Sequence, residues 1–152
     1  MKFENAVRAT VEIGACYEPG LRAVAGAYRT KLLASRTQCR WRGSVDIDAA
    51  LAARCPNDPR WDYAVGFGYD RRPDGVAYVE VHPATSDHVD DVIRKKNWLT
   101  TWIARCAPAL RSLTVGGFHW VSTDGVHIHP GSPQSRKLAL CGITVGKVAR
   151  IG

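Results

Sequence analysis

Two segments of alternating side chains, separated by a run of turn residues, constrain this chain more than anything else in it. From Asp62 to Tyr69, the residues Tyr63, Val65, Phe67 and Tyr69 share one face and leave Asp62, Ala64, Gly66 and Gly68 on the other. From Val76 to His82, Ala77, Val79 and Val81 oppose Val76, Tyr78, Glu80 and His82. Successive side chains of a β-strand point to opposite faces, so each segment reads as a strand. The connecting Asp70-Arg71-Arg72-Pro73-Asp74-Gly75 is turn chemistry, and the pair is expected to form an antiparallel hairpin. Pairing Asp62 with His82 and Ala64 with Glu80 keeps the apolar sets together and gathers Asp62, Glu80 and His82 at one end of one face. A slip of one residue destroys both arrangements at once.

Helical signals flank this hairpin. Leu21, Val24, Ala25, Tyr28 and Leu32 recur at helical spacing behind Pro19, which predicts a helix over about residues 19–35. Gly43 to Asp48 alternates like a half-buried strand and gives way to a helical turn at Ala49–Arg54, before Pro56-Asn57-Asp58-Pro59 breaks the chain. Residues 1–17 show no clear period and are expected to be a strand or an ordered arm. After Pro83, Ser86 is a candidate cap for a long helix. Asp87, Asp90 and Asp91 suit its positive N-terminal end, and Val89, Val92, Ile93, Leu99, Ile103 and Cys106 form its apolar stripe up to Pro108. Lys96 falls within that stripe and Lys95 near its margin, so a lysine there must reach solvent or meet a carboxylate. Val115–Val121 and Val126–Ile128 read as a second hairpin around Ser122–Gly125, and Ser135–Ile143 as a short helix or strand. The order of elements predicts an α/β (α+β) fold with a central mixed β-sheet flanked by helices.

Residues 1–152, with 45% apolar content, suffice for one core, and a single domain is expected. No apolar run approaches the roughly 18 residues of a membrane span, and Met1-Lys2-Phe3-Glu4-Asn5 lacks the apolar stretch of a signal peptide, so the expectation is a cytoplasmic protein with no membrane partner. The five cysteines are odd in number and form no Cys-x-x-Cys pair, which argues against a disulfide framework or a zinc ribbon and predicts buried free thiols. Net charge is +7, with basic side chains gathered in Arg36–Arg42, Arg71-Arg72, Arg94-Lys95-Lys96 and Arg136-Lys137. Such a surface attracts phosphate backbones or acidic proteins through a salt-sensitive field.

An Asp at the head of one strand and Glu-x-His at the end of its neighbour supply two carboxylates and an imidazole to one place. Paired carboxylates are what a hard cation such as Mg²⁺ or Mn²⁺ requires, and such a cation polarises a phosphoryl oxygen or generates hydroxide. With the preceding helix, the strand Trp61-Asp62-Tyr63-Ala64-Val65, the strand Tyr78-Val79-Glu80-Val81-His82 and the helix that follows, residues 18–121 resemble the core of the PD-(D/E)XK, or restriction-endonuclease-like, superfamily. The resemblance implies a nuclease, with Asp62 and Glu80 as metal ligands and DNA or RNA as substrate. His82 stands where that family usually has lysine. Some of its members carry the lysine on the neighbouring helix instead, which implies Lys96, or with less support Lys95, as the group that stabilises developing charge. His82 then positions water or phosphate, Arg94 and Lys95 contact substrate, Glu18 matches an extra acid some members carry, and a homodimer is implied by enzymes that cut two strands.

The same residues also admit a purely structural reading, in which Asp62 caps a turn and pairs with Arg60, Glu80 bridges to Lys96, and His82 ends a strand. A nuclease-like fold that has lost catalysis and serves as a nucleic-acid- or protein-binding module is the other functional reading. His127-x-His129, with His119 as a third donor, is a weak zinc candidate. Trp98 and Trp102 lie off the centre of the helical stripe, under a loop or on a stacking surface.

Overall fold

The alternation at residues 62–82 folds as a hairpin, and the rest of the chain wraps both of its faces. In the computed structural model, which describes residues 1–152, the chain begins with α1 (Phe3–Arg8), a short 3₁₀ turn (Gly14–Cys16) and α2 (Gly26–Arg29). Then come β1 (Leu32–Ala34), β2 (Arg40–Asp46), α3 (Ile47–Leu51), β3 (Tyr63–Gly68) and β4 (Gly75–Thr85). A 3₁₀ turn at Ser86–His88 leads into α4 (Val89–Cys106), followed by α5 (Pro108–Ser112), β5 (Thr114–His127), α6 (Pro133–Leu140), β6 (Ile143–Gly146) and β7 (Ala149–Ile151). The central sheet has the order β2-β3-β4-β5-β6. Its β2–β3 and β3–β4 pairs are antiparallel, while β4–β5 and β5–β6 are parallel. Parallel neighbours need a crossover, and α4 supplies the one between β4 and β5. The fold is therefore mixed α/β, a five-stranded mixed sheet flanked by helices. No helix is long and apolar enough to cross a membrane.

Every residue of β3 is buried, because both faces of the hairpin are covered. Ala64, Val76 and Tyr78 join the cluster that contains Val92, Leu99 and Ile103 of α4. Tyr63, Val65, Phe67, Ala77 and Val79 join a second cluster with Leu32, Ala149 and Ile151, where β1 and β7 pair in parallel. Helix α1 docks at the turn end of the hairpin. Buried Asp74 accepts a hydrogen bond from Phe3 N at 2.8 Å. The Phe3 ring lies so close to Gly66 that a Cβ there would stand 2.2 Å from Phe3 Cγ.

The hairpin register differs from the sequence expectation by two residues. Tyr63 pairs with Val79, Ala64 with Tyr78 and Phe67 with Gly75. One step further, Asp62 stands opposite Glu80 rather than His82. A two-residue slide keeps every side chain on its face, which is why alternation alone does not distinguish the two pairings. Asp74 lies in the turn as expected, and its buried carboxylate also receives the backbone of α1.

Five other expectations are corrected. The helix over 19–35 is reduced to Gly26–Arg29, because partners elsewhere in the fold engage the backbone there: Ala23 N donates to Ser44 Oγ at 3.0 Å and Ala25 N to Tyr63 OH at 3.4 Å, while within the segment Arg29 Nε takes the Val24 carbonyl at 2.8 Å. The second hairpin is a bulge within one strand. His82 pairs with Ser122 and Ala84 with Val126, so the chain rejoins the same neighbour after Thr123–Gly125. Gly125 takes φ 81°, and Ser122 Oγ donates to Gly125 O across the bulge. Ser86 caps nothing with its side chain, and the first residues form helix α1. Of the five free cysteines only Cys39 is buried; the others are half-buried.

Candidate active site at the head of the central strands

Alternation along β4 sends Glu80 to the same face as Val76 and Tyr78, the face that α4 covers, and its side chain is 0% exposed. Such a carboxylate needs partners for both oxygens. Oε2 accepts from Asp62 N at 3.0 Å, and Oε1 accepts from Lys95 Nζ. Asp62 Oδ2 accepts in turn from Val81 N at 2.9 Å. The carbonyl of Asp62 accepts from Ile47 N at 2.8 Å and Asp48 N at 3.3 Å, which fixes this residue between the first turn of α3 and β4. Asp62, Glu80 and Lys95 thus converge from the head of β3, the middle of β4 and the second turn of α4.

The lysine is Lys95, not Lys96. Lys96 Nζ donates to Cys141 O at 2.6 Å, at the C-terminal end of α6, and lies 4.9 Å from the Phe118 ring centroid. The buried residues of α4 are Val89, Val92, Leu99, Trp102 and Ile103, while Ile93 and Cys106 are only partly covered. Trp102 rotates the buried sector toward Lys95, three residues after Val92 and four before Leu99. That tryptophan, away from the centre of the apolar stripe, is the feature that points to Lys95 as the lysine facing Glu80.

Burial is the main reason the Glu80 carboxyl is pushed up to about 8, with the Asp62 charge adding to it; the Lys95 ammonium and the Asp62 N–H pull the other way. Asp62 is also raised, first by burial and then by the charges of Asp48 and Asp46, against the Val81 N–H and Lys95. For Lys95, burial works against the ammonium, but Glu80, Asp62 and Asp48 outweigh it and hold its affinity for the proton above the ordinary lysine range. All three shifts keep protons on the trio: a dry site with two carboxylates and one lysine resists net negative charge.

Around the trio, Asp46 caps α3 by accepting from Ala49 N at 2.8 Å, and Asp48 receives Arg60 Nε at 2.9 Å. Arg60 therefore pairs with Asp48, not with Asp62. These two acids were legible in the sequence only as part of an alternating strand; their relevance follows from β2 ending beside Asp62, with Asp46 opposite Tyr63.

The other candidates lie apart from the trio or contact different partners. His82 makes no hydrogen bond to either carboxylate; its ring packs edge-on to His88 at 4.4 Å, and its carbonyl accepts from Trp120 Nε1 at 3.0 Å. Arg94 is exposed and bound to Asp91. Glu18 bridges to Ser44 through backbone bonds, and its side chain lines an open cleft with Arg22 and Asp46. His119 and His127 turn to the nearby carbonyls of Gly116 and Asp124, and no zinc-like cluster forms with His129. Trp98 and Trp102 stack at 6.3 Å and donate to Asp58 and Glu12.

No three His, Cys, Asp or Glu side chains form an all-protein metal cage. Mg²⁺ does not require one, since it commonly keeps several waters and binds through one or two carboxylates plus substrate phosphate. The oxygen donors of Asp62 and Glu80 are of the kind such an ion takes, and both carboxyls are raised first by burial and only then by neighbouring acids. Lys95 donates to Glu80 Oε1. Comparison with protein-family models, with characterised proteins and with solved structures finds no match to this chain.

Proposed function

We propose that this protein is a metal-dependent phosphodiesterase acting on nucleic acid, built on a restriction-endonuclease-like core with Asp62, Glu80 and Lys95 at its centre. The convergence of two carboxylates and an ammonium from β3, β4 and α4 carries the reading. Asp62 and Glu80 would hold Mg²⁺ or Mn²⁺, which supplies a polarised phosphoryl oxygen and a deprotonated water. Asp62 is pre-set for this by four backbone hydrogen bonds. Lys95 would leave Glu80 Oε1 when a cation binds, and its ammonium would then neutralise negative charge developing on the phosphoryl oxygens. His82, two residues beyond Glu80 on the same strand, would orient phosphate or water, although its ring packs on His88 and makes no bond to either carboxylate. By analogy of fold the reading extends to a cytoplasmic homodimer.

Incubation of plasmid and of single-stranded DNA or RNA with Mn²⁺ or Mg²⁺ tests it. Cation-dependent cleavage lost in both Asp62→Ala and Glu80→Ala supports the reading; its absence, or its survival in those variants, overturns it. One observation favours a second reading, a nuclease-like binding module without catalysis: Glu80 has no exposure and both its oxygens are engaged. Calorimetric titration with Mn²⁺ separates the two, because the module binds no metal and keeps its partner when both carboxylates are removed.

A further inference from the structure

We propose that the arginine-rich surface at the turn end of the β3–β4 hairpin binds the phosphate backbone of nucleic acid, remote from the Asp62 centre. Two basic runs far apart in sequence meet there because β2 lies beside β3. Arg40 stands opposite Gly68, and Arg36, Gln38, Tyr69, Asp70 and Arg72 line one open cleft. Arg36, Arg40, Arg71 and Arg72 are all exposed. Arg40 is turned back onto the carbonyls of Thr37 and Cys39 at 2.6 and 3.2 Å, whereas the side chains of Arg36, Arg71 and Arg72 have no hydrogen bond or ion pair within the chain.

The acidic groups nearby are already accounted for. Asp70, 98% exposed, has Arg42 Nη2 at 3.7 Å, and buried Asp74 has Arg42 Nε at 3.5 Å and Lys2 Nζ at 3.7 Å. Three guanidinium groups are therefore without a carboxylate partner in the fold. The chemistry favours phosphate over carboxylate-bearing protein on two grounds. The free cations are all arginines, whose planar forks match phosphate oxygens and stack on flat rings. And an aromatic surface stands among them, with the Arg72 guanidinium 5.8 Å from the Tyr69 ring centroid, an arrangement suited to unpaired bases. Arg71 adopts φ 63°, a conformation that side chains other than glycine rarely hold and that often accompanies functional turns. Seven residues of extended chain separate Tyr69 from Asp62, roughly 20 Å. This inference rests on the reading of nucleic acid as substrate, not on catalysis.

Fluorescence anisotropy with labelled DNA and RNA, each about 20 nucleotides long and in single- and double-stranded form, tests it in EDTA, where no cation-dependent cleavage proceeds. Titrations from about 50 to about 200 mM salt give the slope of log affinity against log salt. Arg36→Gln with Arg72→Gln is expected to lower affinity by at least about tenfold and the slope by about two, while Arg111→Gln with Arg136→Gln, an equal change in net charge elsewhere, leaves the slope unchanged. An unchanged slope in the first pair, an equal fall in the second, or tight binding of polyglutamate with none of nucleic acid overturns the proposal. Intact binding without cleavage defeats only the catalytic reading; cleavage with a slope indifferent to Arg36 and Arg72 defeats only this one.

Discussion

Asp62 and Glu80 hold one another across the hairpin: Asp62 N–H donates to Glu80 Oε2 at 3.0 Å, and the carboxylate of Asp62 accepts from the amide of Val81, the residue after Glu80, at 2.9 Å. Each acid is positioned by the other strand's backbone, so neither is free to rotate away from the place where they converge. Opposite charge enters only from α4, through Lys95.

The two lysines of α4 are expected to separate cleanly. Removing a donor that stabilises transition-state charge costs about 10² to 10³ in rate, so Lys95→Ala loses cleavage by that factor. Lys96→Ala, which loses a bond to Cys141 O, changes the rate by less than about fivefold. Equal losses in the two variants, measured under saturating Mn²⁺, would falsify the assignment of Lys95.

Stability depends on pH through Glu80. Its folded carboxyl is raised from 4.5 to about 8, so between these values the folded chain binds more protons than the unfolded one. The contribution is complete below pH 4.5 and disappears as pH rises through about 8. Urea unfolding at acid and alkaline ends of this window should show the fall, and Glu80→Gln should flatten it. The same slope in both proteins rules out Glu80 as its source.

Asp62→Asn and Asp62→Ala differ in a way that separates structure from chemistry. Asparagine keeps an oxygen for Val81 N–H and removes the charge, so stability changes by less than about 1 kcal/mol while Mn²⁺ affinity and cleavage disappear. Alanine leaves that amide without an acceptor and costs a further ~1–3 kcal/mol. Denaturant midpoints read alongside calorimetry check both, and an asparagine variant that retains metal affinity defeats the ligand role.

Gly66→Ala tests the docking of α1. The added Cβ would lie 2.2 Å from Phe3 Cγ in a buried contact. Overpacking of this kind costs about 1–3 kcal/mol, and Phe3→Ala in the same chain should recover part of it, giving a non-additive double-mutant cycle. Simple additivity argues against the contact.

Periodicity by itself determined the hairpin, the strand faces and the long helix before Pro108. These follow from local geometry: side chains alternate along a strand and return every three to four residues on a helix, so apolar spacing names the element and its buried face. The placing of Asp62 and Glu80 on one face at one end was legible for the same reason.

What remained was decided between elements. A strand slid by two residues keeps its faces, so the register came from contacts that alternation does not encode: Phe3 N on Asp74 at one end of the hairpin, and Asp62 N on Glu80 with Val81 N on Asp62 at the other. Lys95 and Lys96 both lie near the apolar stripe of α4, and the burial of Trp102 together with the claim of Cys141 O on Lys96 chose between them. Residues 19–35 had helical spacing, but Ser44 Oγ and Tyr63 OH took up backbone amides there. Ser122–Gly125 had the chemistry of a reversal, yet the parallel pairing with β4 made it a bulge. In each case local preference amounts to a fraction of a kcal/mol per residue, while a buried amide or carboxylate left without a partner costs one to several kcal/mol, and the larger demand fixed the outcome.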